Sequence, residues 1–151
     1  MYVRAVVQRV KQASVAVDNQ IVGKIDKGLL VFLGVAPDDG DKDIKYISEK
    51  LGFLRIFEDE NEKMNLSVKD IDGEILIISQ FTLFGDCRKG RRPDFTSSCE
   101  PIKAKKLYEE VIDALKKQGI VTECGIFGAD MQVELVNDGP VTILLDSTKL
   151  F

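Results

Sequence analysis

Residues 2–35, YVRAVVQRVKQASVAVDNQIVGKIDKGLLVFLGV, decide the fold class. Val3, Ala5 and Val7 fall on one face of an extended chain, and Ala13, Val15 and Val17 repeat the two-residue period up to an Asp18-Asn19 turn. That period belongs to strands, in which alternate side chains point to opposite faces. Ile21–Ile25 returns as a further strand, so the opening is read as an antiparallel meander. Leu29–Val35 is apolar throughout, which suits a strand buried on both faces, and Pro37-Asp38-Asp39-Gly40 ends it with turn residues.

Outward from this stretch the period changes. Ile44, Tyr46, Ile47 and Leu51 recur at helical spacing, so 41–51 is read as a short amphipathic helix whose acidic start suits its dipole. Residues 53–57 and 74–83 are read as strands, the second turning polar after Ile78. Ala104, Leu107, Tyr108, Val111, Ile112 and Leu115 predict a helix over 101–117, ending before Gly119. Two closing strands, 130–136 and 141–145, are joined by Asn137-Asp138-Gly139-Pro140, which ordinary turn chemistry reads as a hairpin loop. Without repeat or linker, residues 1–151 make one α/β domain of the α+β type: a mostly antiparallel or mixed sheet and two principal helices.

The 151 residues carry 21 Lys plus Arg against 25 Asp plus Glu, a net charge of -4, and no histidine. The absent imidazole excludes Ser-His-Asp and Cys-His triads and His-ligated zinc sites, and any pH profile of activity should lack a histidine limb. Three widely spaced cysteines, Cys87, Cys99 and Cys124, form no CxxC pair and indicate neither a disulfide framework nor a zinc ribbon. No stretch approaches the roughly 20 apolar residues of a membrane span, and the alternating N-terminus is unlike a signal peptide. A cytoplasmic protein with no membrane partner, cofactor or metal is expected.

Three stretches could carry chemistry. Ser79-Gln80-Phe81-Thr82 places hydroxyls and an amide where an apolar strand ends, a position from which sheets present functional groups, although such residues also simply satisfy backbone groups. Arg88, Lys89, Arg91 and Arg92 concentrate four cations within five residues. Guanidiniums offer forked donors to phosphate oxygens, so this is a candidate RNA or phosphate contact as well as a plausible solvated loop. Gly139-Pro140 is an X-Pro bond, the one kind that readily takes the cis form, and a fixed Gly139 carbonyl could read a ligand amino group.

The strings SQFTL, RRPDF, ADMQVELV and NDGPVT, in that order, together with VVQRVKQASVAV, GLLVFLGV, RIF and KMNLSV, closely resemble the D-aminoacyl-tRNA deacylase family. The likeness spans nearly the whole chain, leaving out the tail after Leu145 and the charged segment 58–63. It implies the fold of that family and a carboxylic ester hydrolase that frees tRNA from a D-amino acid, and from glycine, as chiral proofreading in translation quality control. It implies that Ser79, Gln80, Phe81 and Thr82 line the catalytic pocket. Gly139-Pro140 would be a Gly-cisPro element reaching across a homodimer interface, with Asn137 and Met131 also at the substrate. Arg88, Arg91 and Arg92 would touch tRNA, and DNA is not expected. Thr82 as nucleophile and water activated with the ribose 2'-hydroxyl are both open; no base beside Thr82 favours the second, with backbone amides stabilising the oxyanion. The rival readings are a non-enzymatic dimeric module that holds RNA ends or amino acids, and a general esterase.

Overall fold

Arg4–Val17 forms a single strand, β1, of fourteen residues, in a computed structural model that describes residues 2–151. The two halves anticipated from the sequence are thus one element. Asp18 and Asn19 turn the chain with φ of 50° and 63°, and β2 (Gln20–Ile25) runs back along the second half of β1. β3 (Gly28–Gly34) pairs antiparallel with the first half.

β3 is buried on both faces, as its unbroken apolar run requires. Leu29, Val31 and Leu33 join the core beneath the helices, whereas Leu30 packs with Val10, Ala13, Val15, Ile25, Leu76 and Ile78 on the other side. β6 (Glu74–Ser79) lies parallel to β3 and divides its side chains the same way, Ile75 and Ile77 against Leu76 and Ile78. β7 (Val121–Cys124) adds in parallel to β6. Between β3 and β6, β4 (Phe57–Glu58) and β5 (Met64–Leu66) form a separate two-stranded sheet. The last strand, β8 (Gln132–Asp146), runs antiparallel along the whole of β1. β2 curls back until a Cβ on Gly23 would stand 2.7 Å from the Cys124 carbonyl oxygen. The mixed sheet is therefore a nearly closed barrel with one core inside and a second under two helices.

Those helices follow the expected signals. α1 (Asp41–Phe53) starts where Asp43 accepts the Gly40 N–H at 3.0 Å. α2 (Pro101–Lys117) is capped by Glu100, whose carboxylate accepts the Ile102 and Lys103 amides at 3.2 and 2.7 Å, satisfying donors that have no partner inside the helix. Its stripe of Ala104, Leu107, Tyr108, Val111, Ile112 and Leu115 is buried as spaced.

Three expectations are corrected. Phe53 ends α1 instead of opening a strand: the Leu54 N–H still bonds to the Lys50 carbonyl, and the Phe53 ring stays in solvent beneath Lys69. β6 stops at Ser79 instead of reaching Leu83. The Gln80 N–H makes the last bond to Leu33 O, at 2.8 Å, and Phe81–Phe84 coils into a 3₁₀ turn against Gly34, where a Cβ would lie 2.9 Å from both the Gln80 carbonyl oxygen and the Phe84 ring. Asn137–Pro140 is no hairpin. Residues on both sides of it pair with β1, Val10 with Asn137 and Gln8 with Thr142, so the four residues 138–141 bulge out opposite Arg9 alone.

Candidate functional site

The ends of β3 and β6 and the first turns of α2 enclose a cavity of about 480 Å³. Leu33, Gly34 and Val35 form one wall, Ser79, Gln80 and Phe81 the mouth, and Ala104 and Tyr108 the floor, with the segment from Phe127 to Met131 opposite. It opens at the C-terminal ends of two parallel strands, where rigid backbone presents the loops that follow.

Polar groups are few. The Gln80 amide donates to the Thr82 hydroxyl at 2.5 Å. Thr82 is exposed and lies beside the cavity rather than in its lining, and no titratable side chain bonds to it among the described residues. The Phe81 ring, 59% exposed, meets Phe95 edge-on at 5.3 Å. Ser98 lines this cavity, and its buried hydroxyl has no partner among the described residues. Tyr108 is committed to the Ile77 carbonyl at 2.8 Å, and burial pushes its phenol well above the usual range. Burial also raises the Cys99 thiol. Neither is a ready base or nucleophile. Cys87 and Cys124 are likewise unbridged.

The basic loop stands beside this mouth. Asp86 and Asp94 exchange backbone bonds of 2.8 and 2.9 Å, closing 87–93 into a projecting loop, and Phe95 then returns to Phe81. Within it Arg88 is already engaged: Nε and Nη2 donate to the Asp86 carboxylate at 2.9 and 2.6 Å, and the pair holds Asp86 at about 2. Arg91 and Arg92 are exposed and carry no ion pair among the described residues. With Lys89, also exposed and without an ion pair among the described residues, they are the free cations of the cluster.

Met131 lines the cavity, packed where a Cβ on Gly125 would lie 2.5 Å from its sulfur. Gly139 and Pro140 do not line it. Ser79 is paired with Leu33, Leu33 with Ala5, and Ala5 with Leu145, six residues beyond Gly139. Standard strand spacings, counted along β1 from Ala5 to Arg9 opposite the bulge, separate the two stretches by about 14 Å across the sheet and about 13 Å along it. The Gly139-Pro140 bond is cis and both residues are exposed.

The bulge is nonetheless tightly held. Asn137 accepts the Val141 N–H at 2.7 Å and donates back to the Val141 carbonyl and the Thr142 hydroxyl, both at 3.2 Å. From below, Arg9 donates to the Asp138 and Ile56 carbonyls, each at 2.8 Å, while only 6% exposed. Sequence reasoning missed Arg9, although a cation at the next position of the face of Val3, Ala5 and Val7 was a signal. Gly139 has φ of +145°, a region that L side chains rarely adopt, and a Cβ there would meet Val141 at 2.8 Å.

Comparison with known proteins gives these features a family. Residues 6–146 match the family model described as D-Tyr-tRNA(Tyr) deacylase. A D-aminoacyl-tRNA deacylase of Thermosipho africanus is 64% identical over 98% of this chain and 99% of its own length, and one of Thermotoga petrophila is 59% identical over the same shares. Among solved structures, a c-Myc DNA unwinding element binding protein superposes with a TM-score of 0.89 at 41% identity, covering 94% of this chain and 97% of its own. A probable eukaryotic D-amino acid tRNA deacylase shares the fold, with a TM-score of 0.86 at 19% identity over 97% of this chain and all of its own. With a cavity at the strand ends, a basic loop at its mouth and relatives aligned over almost every residue, the chain belongs to the D-Tyr-tRNA(Tyr) deacylase family of enzymes.

Proposed function

We propose that this deacylase hydrolyses the ester joining a D-amino acid to the terminal ribose of tRNA, in a cytoplasmic homodimer whose two sites each combine one chain's cavity with the other chain's Gly139-Pro140 bulge. The observation that carries this reading is the bulge itself. It is exposed, clamped by Arg9 and Asn137, and remote from the cavity of its own chain. Such rigidity has no use within one protomer, whereas a second copy could receive it. The free edge of β8 supports the same reading. β8 pairs only with β1 among the described strands, and Val136 and Leu144 are 44% and 52% exposed along it. A long unpaired edge of this kind is normally covered.

The chemistry follows from what the mouth contains. With the substrate amino group held by the Gly139 carbonyl and the ester carbonyl by a main-chain amide near Thr82, two substituents of the α-carbon are fixed, and the hydrogen and the side chain take the two remaining directions in the order that chirality sets. An L side chain would then point into the Gly139-Pro140 backbone, and a D side chain would point away. Exclusion by backbone rejects every L substrate and accepts many D ones, and glycine passes because it has no side chain to reject.

Turnover on this reading uses no side-chain nucleophile. The amide near Thr82 stabilises the oxyanion, one such donor contributing about 3 kcal/mol, and the ribose 2'-hydroxyl assists water. Arg91 and Arg92 hold phosphates of the acceptor end.

The test is loss of ester from matched D-tyrosyl-, L-tyrosyl- and glycyl-tRNA. Loss of the D and glycyl esters with the L ester intact is expected. Loss of none would leave a binding module, and loss of all three a general esterase.

A further inference from the structure

The cavity mouth is carried by the 3₁₀ turn Phe81–Phe84, and the side chain that holds this turn from outside is Arg4. Its Nη1 donates to the Leu83 carbonyl at 3.2 Å, its Nη2 to the Tyr2 hydroxyl at 2.8 Å, and its Nε faces Asp146 at 3.4 Å. The guanidinium also lies over the rings of Tyr2, at 4.7 Å, and Phe84, at 5.5 Å. One planar group thus joins the start of β1, the end of β8 and the turn after β6.

Asp146 is fully buried, and its other oxygen accepts the Thr148 amide and hydroxyl at 2.8 and 2.6 Å. Next to it, Ser147 exchanges bonds with the Val3 backbone and donates to Asp43 at the start of α1, at 2.7 Å. The C-terminal segment therefore forms a small polar knot around the first residues of β1. Arg4, Ser147 and Thr148 all lie outside residues 6–146, the part that matches the family model.

We propose that Arg4 is a positioning residue for the deacylation, aiming the Phe81–Phe84 turn at the substrate while Asp146, itself fixed by Thr148, holds its guanidinium in place. This rests on the reading that residues 79–82 border the reaction centre. Leu83 directly follows Thr82 and shares its turn, so a bond to the Leu83 carbonyl fixes the direction of the amides just before it. Displacing reacting groups by about 1 Å is enough to cost up to about 100-fold in rate.

The test measures kcat and KM on D-tyrosyl-tRNA together with melting temperature. Arg4→Lys keeps a cation for Asp146, but its single nitrogen cannot also reach Leu83 and Tyr2. Arg4→Met/Asp146→Asn removes both charges, so no buried carboxylate is left unpaired. Both variants should fold, and both should show kcat lowered about tenfold with KM within about twofold. Wild-type kcat in the folded double variant, with Gln80→Ala slowed, would overturn the role of Arg4 alone. Wild-type kcat in both would overturn the siting of the reaction centre as well.

Discussion

Arg9 Nε donates to the Asp138 carbonyl at 2.8 Å and thereby fixes the four-residue bulge in the pairing of β8 with β1. A guanidinium nearly out of water needs acceptors, and here they are main-chain carbonyls from two distant segments, with Glu58 at 3.9 Å as the only carboxylate partner among the described residues. Arg9→Met keeps the apolar stem but strands both carbonyls. A loss of about 2–4 kcal/mol in denaturant unfolding is expected, as each charged hydrogen bond contributes about 1.5–3 kcal/mol. Arg9→Lys should recover part of it. An unchanged midpoint for Arg9→Met would contradict the clamp.

Thr82→Ala should retain activity within about fivefold of the wild type in single-turnover deacylation, because its hydroxyl accepts from Gln80 and has no base beside it. Complete loss of turnover with folding and tRNA binding intact would restore Thr82 as nucleophile.

Arg91→Ala and Arg92→Ala should each raise KM for aminoacyl-tRNA several-fold at low salt while kcat holds, and the difference should shrink as ionic strength rises. Arg88→Ala should do less, since its guanidinium is already paired with Asp86. Equal effects of all three on KM would mean that the Asp86 pair opens when RNA binds.

Asp39 supplies a pH dependence of stability. Burial pushes its carboxyl up to about 6 from 3.8, against the Ala36 N–H that it accepts at 2.5 Å. The folded state then binds the proton more tightly than the unfolded one. Its contribution is greatest below pH 3.8 and is lost as pH rises through about 6. Asp39→Asn keeps an acceptor for Ala36 and removes the titration. Its melting temperature relative to the wild type should climb between pH 4 and 7 and then level off. A constant difference would show that Asp39 ionises normally.

How much of this was legible beforehand depended on whether a residue's neighbours lay near it in the chain. α2 could be read because its buried stripe, its Pro101 start and Gly119 are all local, and β3 because both its faces need apolar side chains. β7, Val-Thr-Glu-Cys, has too little pattern to announce a strand; it exists because β6 offers a parallel edge. Asn137–Pro140 has the composition of a hairpin loop, but the continuous partner β1 keeps both flanks in one strand and turns the stretch into a bulge. Ser79, Gln80 and Phe81, which line the cavity, stand out in the sequence because an apolar strand turns polar there, whereas the pairing of Arg88 with Asp86 and the burial of Arg9 needed three dimensions.

The most direct test of a site shared between two copies is subunit mixing with Gly139→Ala, whose Cβ would collide with Val141, and Ser79→Phe, which fills the cavity mouth. Each alone should be a folded dimer with near-background deacylation of D-tyrosyl-tRNA. In randomly reassorted dimers half are mixed, and each mixed dimer holds one intact cavity facing one intact bulge, so about a quarter of wild-type activity should return. Activity no higher than that of the two parents, in a sample where mixed dimers are demonstrated, would contradict the account.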